Sequence, residues 1–146
     1  MKRFLLLSIV TFGACVSMVL QPADIRLGED ACAHCRMTIV SAATAAQIVA
    51  RGEEPVTFDE IGCLRDYLAK HPTAADAVVF VADHRTAEWI DARRAVFTHT
   101  STSTPMSSGL VAHRDVASRD ADAAALNGSP VAAVRILNLS EGIDLP

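Results

Sequence analysis

The chain has no apolar run of the roughly 20 residues that a bilayer span requires; the stretch from Phe4 to Ala14 falls far short. Basic blocks are missing too. With 13 Lys and Arg against 17 Asp and Glu the formal net charge is −4, and an acidic chain repels nucleic acid rather than binding it. No paired carboxylates and no nucleophile–base set occur at recognisable spacing, so no catalytic residue is expected and the chain does not read as an enzyme. Covalent haem needs C-x-x-C-H, but Arg36 follows Cys35. Structural zinc wants four ligands from two hooks, and a second hook is lacking. At 146 residues the chain fits one compact unit, or two very small lobes sharing a core, which excludes a multidomain enzyme.

The first residues form a targeting segment. Lys2 and Arg3 precede the apolar run, which ends Phe12-Gly13-Ala14-Cys15, small residues before a cysteine, as in a lipobox with an unusually bulky Phe12. Residues 1–14 are therefore expected as a lipoprotein signal peptide, Cys15 as the lipidated N-terminus, and 15–30 as a tether containing Gln21-Pro22. This places the chain on the periplasmic side of the cell envelope, anchored to a membrane, expected to be the outer one. Cleavage removes Lys2 and Arg3 and makes the mature chain more acidic by two charges. If Cys15 carries lipid, Cys32, Cys35 and Cys63 remain, an odd number in an oxidising compartment. At least one thiol is then unpaired or bound to something.

The fold expected for 31–146 is α+β. Met37 to Val40, Ala46 to Ala50 and Pro55 to Phe58 are β-prone, with Gly52 marking a turn. Asp59 offers an N-cap to a helix over Glu60 to Lys70, which Pro72 stops, and Ala77 to Val81 is a strand. The order then recurs: strands at Val96 to His99 and Gly109 to His113, an alanine-rich helix from Asp115 to Asn127-Gly128, and a strand over Val131 to Leu137. The chain reads as two tandem ββαβ units, about 31–84 and 85–140.

Cys32-Ala33-His34-Cys35-Arg36-Met37 packs two thiols, an imidazole and a thioether into six residues. Soft sulfur of this kind selects Cu(I), while carboxylates and waters do not. A C-x-x-C pair alone equally serves zinc, disulfides and thiol–disulfide exchange; the added C-x-M sharpens the signal. Periplasmic thiol–disulfide oxidoreduction is the rival reading, with Thr104-Pro105 as its proline loop. Such an enzyme places its reactive cysteine at a helix N-terminus, whereas Met37 to Val40 reads as strand. A structural disulfide is the third reading. His34 is a candidate third ligand, with His84, His99 and His113 weaker candidates for the same place. Met106 stands in the polar loop Thr102 to Gly109, either as a ligand or folded back onto the core, where methionine fills gaps readily. Cys63 reads as core beside the helix's apolar stripe, Trp89 as packing, and Asp59, Asp91 and Asp115 as caps or turn residues.

Taken in order, Cys32-x-x-Cys35-x-Met37, Phe58-Asp59-x-Ile61-Gly62-Cys63-Leu64, Glu88-Trp89-Ile90-Asp91-Ala92 and Thr104-Pro105-Met106-Ser107-Ser108-Gly109 with Ala112 resemble the signature blocks of the NosL family. The resemblance implies a fold similar to the organomercury lyase family, built from ββαβ units. It also implies one bound Cu(I), supplied for the copper-sulfide cluster of nitrous oxide reductase, so that nitrous oxide reductase or its maturation proteins are the expected partners. A second copy of the chain is a further candidate partner. By position, the family's ligands fall on the Cys32/Cys35/Met37 block and on Met106. Arg36 stands where the family usually has glycine, so the loop is expected to turn without glycine's backbone freedom.

Overall fold

The computed structural model describes residues 19–139; the expected leader and Cys15, the expected lipidation site, lie outside them. The first unit comprises β1 (Ala46–Val49), β2 (Val56–Phe58), α1 (Ile61–Leu68) and β3 (Val78–Ala82). A further strand, β4 (Trp89–Asp91), completes its sheet in the antiparallel order β2-β1-β3-β4. In α1 the buried Ile61, Leu64 and Leu68 recur at helical spacing, and full burial of a side chain the size of Leu64 contributes roughly 2 kcal/mol. The helix starts one residue later than expected and ends two earlier. Glu60, not Asp59, holds the N-cap position, and its side chain makes no capping bond.

The second unit repeats the plan with β5 (Val96–His99), β6 (Leu110–His113), α2 (Val116–Asp120) and β7 (Ser129–Val131). Its sheet order β6-β5-β7 matches β2-β1-β3, with the first strand of the unit in the middle. The expected α+β architecture of two ββαβ units is thus present. Pro130, which lacks an N–H, is tolerated because β7 is an edge strand paired only with β5.

Four local expectations give way to tertiary forces. Met37 to Val40 is no strand: a single bridge joins Thr38 to Ala31, and only Ile39 is buried. The helix capped by Asp115, whose side chain accepts from Ser118 N, stops at Asp120 instead of reaching Asn127. The Asp122 carboxylate there accepts from Ala124 N at 2.9 Å, and its backbone oxygen accepts from Ala125 N; an aspartate bonding its own backbone competes with helix. Beyond β7, where a strand to Leu137 was expected, a short helix α3 (Ala133–Ile136) forms, burying Ile136 and Leu137 and packing on α1. Part of the expected tether also joins the fold. Gln47, fully buried in β1, satisfies its amide on both sides of Ala23, donating to its carbonyl at 3.0 Å and accepting from its N–H at 2.8 Å. Gly28 N and Asp30 O then pair with the backbone of Ile39.

The units share one core. Cys32, Phe58, Leu64 and Val81 belong to the same buried cluster as Phe97, Leu110, Ala112 and Ile136. Where the sheets meet, Asp83 bridges Ala112 in parallel and His84 N donates to Ala112 O at 2.8 Å. The Asp83 carboxylate is fully buried and accepts from Arg114 N, Ser118 Oγ, Arg85 N and Thr86 N at 2.8–3.1 Å. Burial raises its pKa, but these donors outweigh burial and hold it below the ordinary carboxylate value. No helix among the described residues is long and apolar enough to cross a membrane.

Candidate metal centre

The Cys32 to Met37 segment is a closed turn. Cys32 N donates to Met37 O at 2.8 Å, Arg36 N donates to Cys32 O at 3.0 Å, and Ala33 N donates to Thr57 O at the end of the first sheet. Arg36 takes a left-handed φ of 68°. The loop therefore turns as a glycine would let it turn, in spite of the side chain, at a conformational cost of about 1 kcal/mol. This returns Cys32 to the interior, fully buried, and leaves Cys35 half-buried.

Two residues that the sequence reading gave to structure complete the site. Cys63 lies in the first turn of α1, buried, and Asp59 lies just ahead of the helix, 1% exposed. One ligand atom from each of Cys32, Cys35, Asp59 and Cys63 lies within 4.8 Å of all the others, an arrangement that can hold a metal ion. Asp59 is positioned through its backbone, whose carbonyl accepts from the buried Thr44 Oγ1 at 2.8 Å. Its Oδ2 accepts from Cys35 Sγ at 3.5 Å, and its Oδ1 is buried without a hydrogen-bond partner. An orphaned carboxylate oxygen beside three thiols fits a place where a cation or its protons are exchanged. Cys63 does pack in the core, as its place beside the apolar stripe implies; the spacing Asp59 to Cys63, four residues across a helix start, is the sequence signal for a second role.

Burial pushes the Cys35 thiol above its ordinary pKa, and the neighbouring Cys32 adds to this against the pull of the Met37 N–H. Burial, then the charge of Cys32 and the neighbouring Asp59, drives Cys63 far above the ordinary thiol range, although it sits at a helix start. Cys32, Cys35 and Cys63 are all free thiols. Thiolate is the ligand form, so a soft cation entering here displaces thiol protons.

Of the other expected ligands, the one histidine of the loop, His34, is not part of this group. Met37 is 52% exposed and Met106 is 47% exposed, while His34 is half-buried. Met106 is nevertheless held beside the site. Its N–H donates to Glu60 Oε2 at 3.1 Å, next in sequence to Asp59. The loop carrying it is built, not loose: Gly109 N donates to the buried Thr104 Oγ1, Thr100 N donates to Gly109 O, and Ser107 N donates to Thr104 O. A Cβ on Gly62 would meet Ser108 Cβ at 2.5 Å, so glycine in the first turn of α1 is what lets this loop close over the helix start. His99 lines an open cavity with Arg65 and Arg135 and is not part of the thiol group. His84 and His113 pair instead with Asp122. Trp89 is half-buried against the core, as a packing residue.

Compared with known protein families, residues 24–135 match the NosL family model. No curated protein and no solved structure matches the chain.

Proposed function

Starting from the premise that this chain belongs to the NosL family, whose model spans residues 24–135, we propose that it carries one Cu(I) as cargo, bound by the thiolates of Cys32, Cys35 and Cys63 and passed on by ligand exchange. The observation that carries this reading is the convergence of three thiols from a turn and a helix start into one small group. Thiolate sulfur suits a soft monovalent ion, and a site with few ligands leaves a position at which an acceptor's ligand can enter. Two of the three thiols are buried and one is half-buried, so Cys35 is the sulfur through which exchange begins. Asp59 takes up the proton-side role, facing the Cys35 thiol and compensating the charge of an arriving cation. Met37 and Met106, exposed on flanking loops, are neutral soft donors that meet the ion at the rim before or after the thiolates hold it.

The recipient in this proposal is the copper-sulfide cluster of nitrous oxide reductase, reached directly or through its maturation proteins, with Cys15 as a lipid anchor holding the chain on the periplasmic face. The thiol–disulfide alternative loses ground because neither cysteine of the C-x-x-C pair opens a helix: Cys32 leads into a turn and Cys35 lies in it, without the helix N-terminus that activates such a thiol.

The test is an anaerobic titration of the reduced protein with Cu(I) against a competing chelator. One ion per chain is expected for wild type, no measurable competition for the Cys32→Ser/Cys35→Ser double variant, and affinity weakened about a hundredfold in Cys63→Ser, equivalent to about 3 kcal/mol. Wild-type affinity in Cys63→Ser would remove the third thiolate, and no binding by wild type would overturn the chaperone reading. Transfer to copper-free nitrous oxide reductase, slowed in Met106→Ala at unchanged Cu(I) affinity, is the expected behaviour of a rim donor.

A further inference from the structure

A second convergent group lies at the junction of the two units. His84 comes from the turn after β3, His113 from the end of β6, and Asp122 from the segment where α2 has stopped. His84 Nδ1 and His113 Nε2 both address one oxygen, Asp122 Oδ2, at 2.6 and 2.9 Å, and the three atoms lie within 4.8 Å of one another. We propose that these three residues form a second metal site, for a borderline divalent ion of the zinc(II) class, distinct in chemistry from the thiol site and able to staple the two ββαβ units together.

The donor set supports the class. Two imidazoles and a carboxylate with an open fourth position are the ligands and the count of exchangeable zinc sites, whereas no sulfur is present to favour Cu(I). The geometry needs a small adjustment: metal–ligand bonds of about 2.0–2.2 Å put neighbouring ligand atoms roughly 3.4 Å apart in a tetrahedral shell, so the contacts at 2.6 and 2.9 Å have to widen by roughly 0.8 and 0.5 Å respectively. The carboxylate is already oriented for one-oxygen ligation, since its Oδ1 is occupied by Ala124 N at 2.9 Å and Oδ2 alone faces the rings. The ring of His113 is fully buried and its Nδ1 has no partner; in the metal-free protein Nε2–H donates to Asp122 Oδ2, and that proton leaves Nε2 when a metal takes its place. Access is from one side: the His84 and Asp122 side chains are 18% and 11% exposed, His113 not at all.

Placement explains why an ion here acts on the fold. His84 belongs to the first unit, His113 and Asp122 to the second, and the residues next to two of them already join the sheets, Asp83 through its bridge to Ala112 and Arg114 through its N–H to Asp83. Any ligand that binds this junction only when the units are docked stabilises the docked state by mass action.

Zinc(II), and cobalt(II) as its spectroscopic stand-in, are the probes, applied to the full chain already loaded with one equivalent of Cu(I) so that the thiols are occupied. One further ion per chain is expected, with cobalt d–d bands free of sulfur charge transfer and with a rise in Tm on adding zinc(II). His84→Ala, at the exposed edge, should weaken this binding about tenfold or more and abolish the Tm rise while Cu(I) stoichiometry stays at one. Asp122→Asn, which keeps a hydrogen-bonding side chain in place, should do the same. Uptake with sulfur charge-transfer bands, or uptake unchanged in His84→Ala and Asp122→Asn, overturns the second site and leaves the Cu(I) reading untouched. Absence of uptake by the Cu(I)-loaded wild type overturns it as well.

Discussion

The two ββαβ units share a strand order, β2-β1-β3 and β6-β5-β7, yet they place different chemistry at their helix ends. In the first, α1 runs for eight residues and buries Ile61, Leu64 and Leu68, and its opening turn contributes Cys63 to a group of thiols. In the second, α2 lasts five residues with only Ser118 buried, and the chain beyond it turns Asp122 toward two imidazoles. Topology is therefore not what decides the donor set. A helix with a full apolar stripe is anchored by packing and can offer a side chain from its first turn, whereas a helix with little to bury yields to an aspartate that finds better partners off the helix.

The comparison assumes that the units stand or fall together, and the sharpest way to break it is to remove the buried carboxylate between them. Asp83→Ala leaves Arg114 N, Arg85 N and Thr86 N without their acceptor and is expected to cost about 3 kcal/mol, a fall in Tm of roughly 9 °C. A single broadened or shifted transition in calorimetry keeps the units as one cooperative body; two separated transitions would make them independent domains. Acid should act on the second unit next. Burial raises the Asp122 pKa, but the hydrogen bonds from His113 and His84 outweigh it and lower the value from 3.8 to about 2. A carboxylate with a depressed folded-state pKa stabilises above its unfolded value and loses that stabilisation as pH falls through the folded one. In the metal-free protein about 2 kcal/mol is therefore expected to disappear between about pH 4 and pH 2. Asp122→Asn should flatten that part of the stability–pH curve, and a curve unchanged by the substitution would detach the second unit's stability from this carboxylate. The smallest effect belongs to the first unit alone: Arg36→Gly relieves the left-handed backbone at φ 68° and should leave the folded protein more stable by up to about 1 kcal/mol in chemical denaturation. A loss of stability would mean that the arginine side chain compensates for its own backbone.

Much of this was legible in the residue order. The spacing of Ile61, Leu64 and Leu68 announced α1, the apolar run at Val78–Ala82 announced β3, and the alternation of turn signals and β-prone segments announced two ββαβ units. The Cys32 to Met37 motif pointed to soft-metal chemistry before any fold was known, and the family match over residues 24–135 agrees with the resemblance carried by those blocks. Less was legible where a polar side chain had two uses. Asp59 reads as a cap, yet it faces Cys35; Cys63 reads as core, and it is core, yet it also joins the thiols.

By itself the sequence determined much of what depends on neighbours within a turn or two: most of the element types and the donor classes available to each unit. The tertiary structure alone decided which donors meet. Cys35 reaches Asp59 across 24 positions, Gln47 holds Ala23 across 24, and His84 finds Asp122 across 38. Such pairings leave no periodic trace, because they follow from where the sheets and helix starts come to rest once a common core has closed around them.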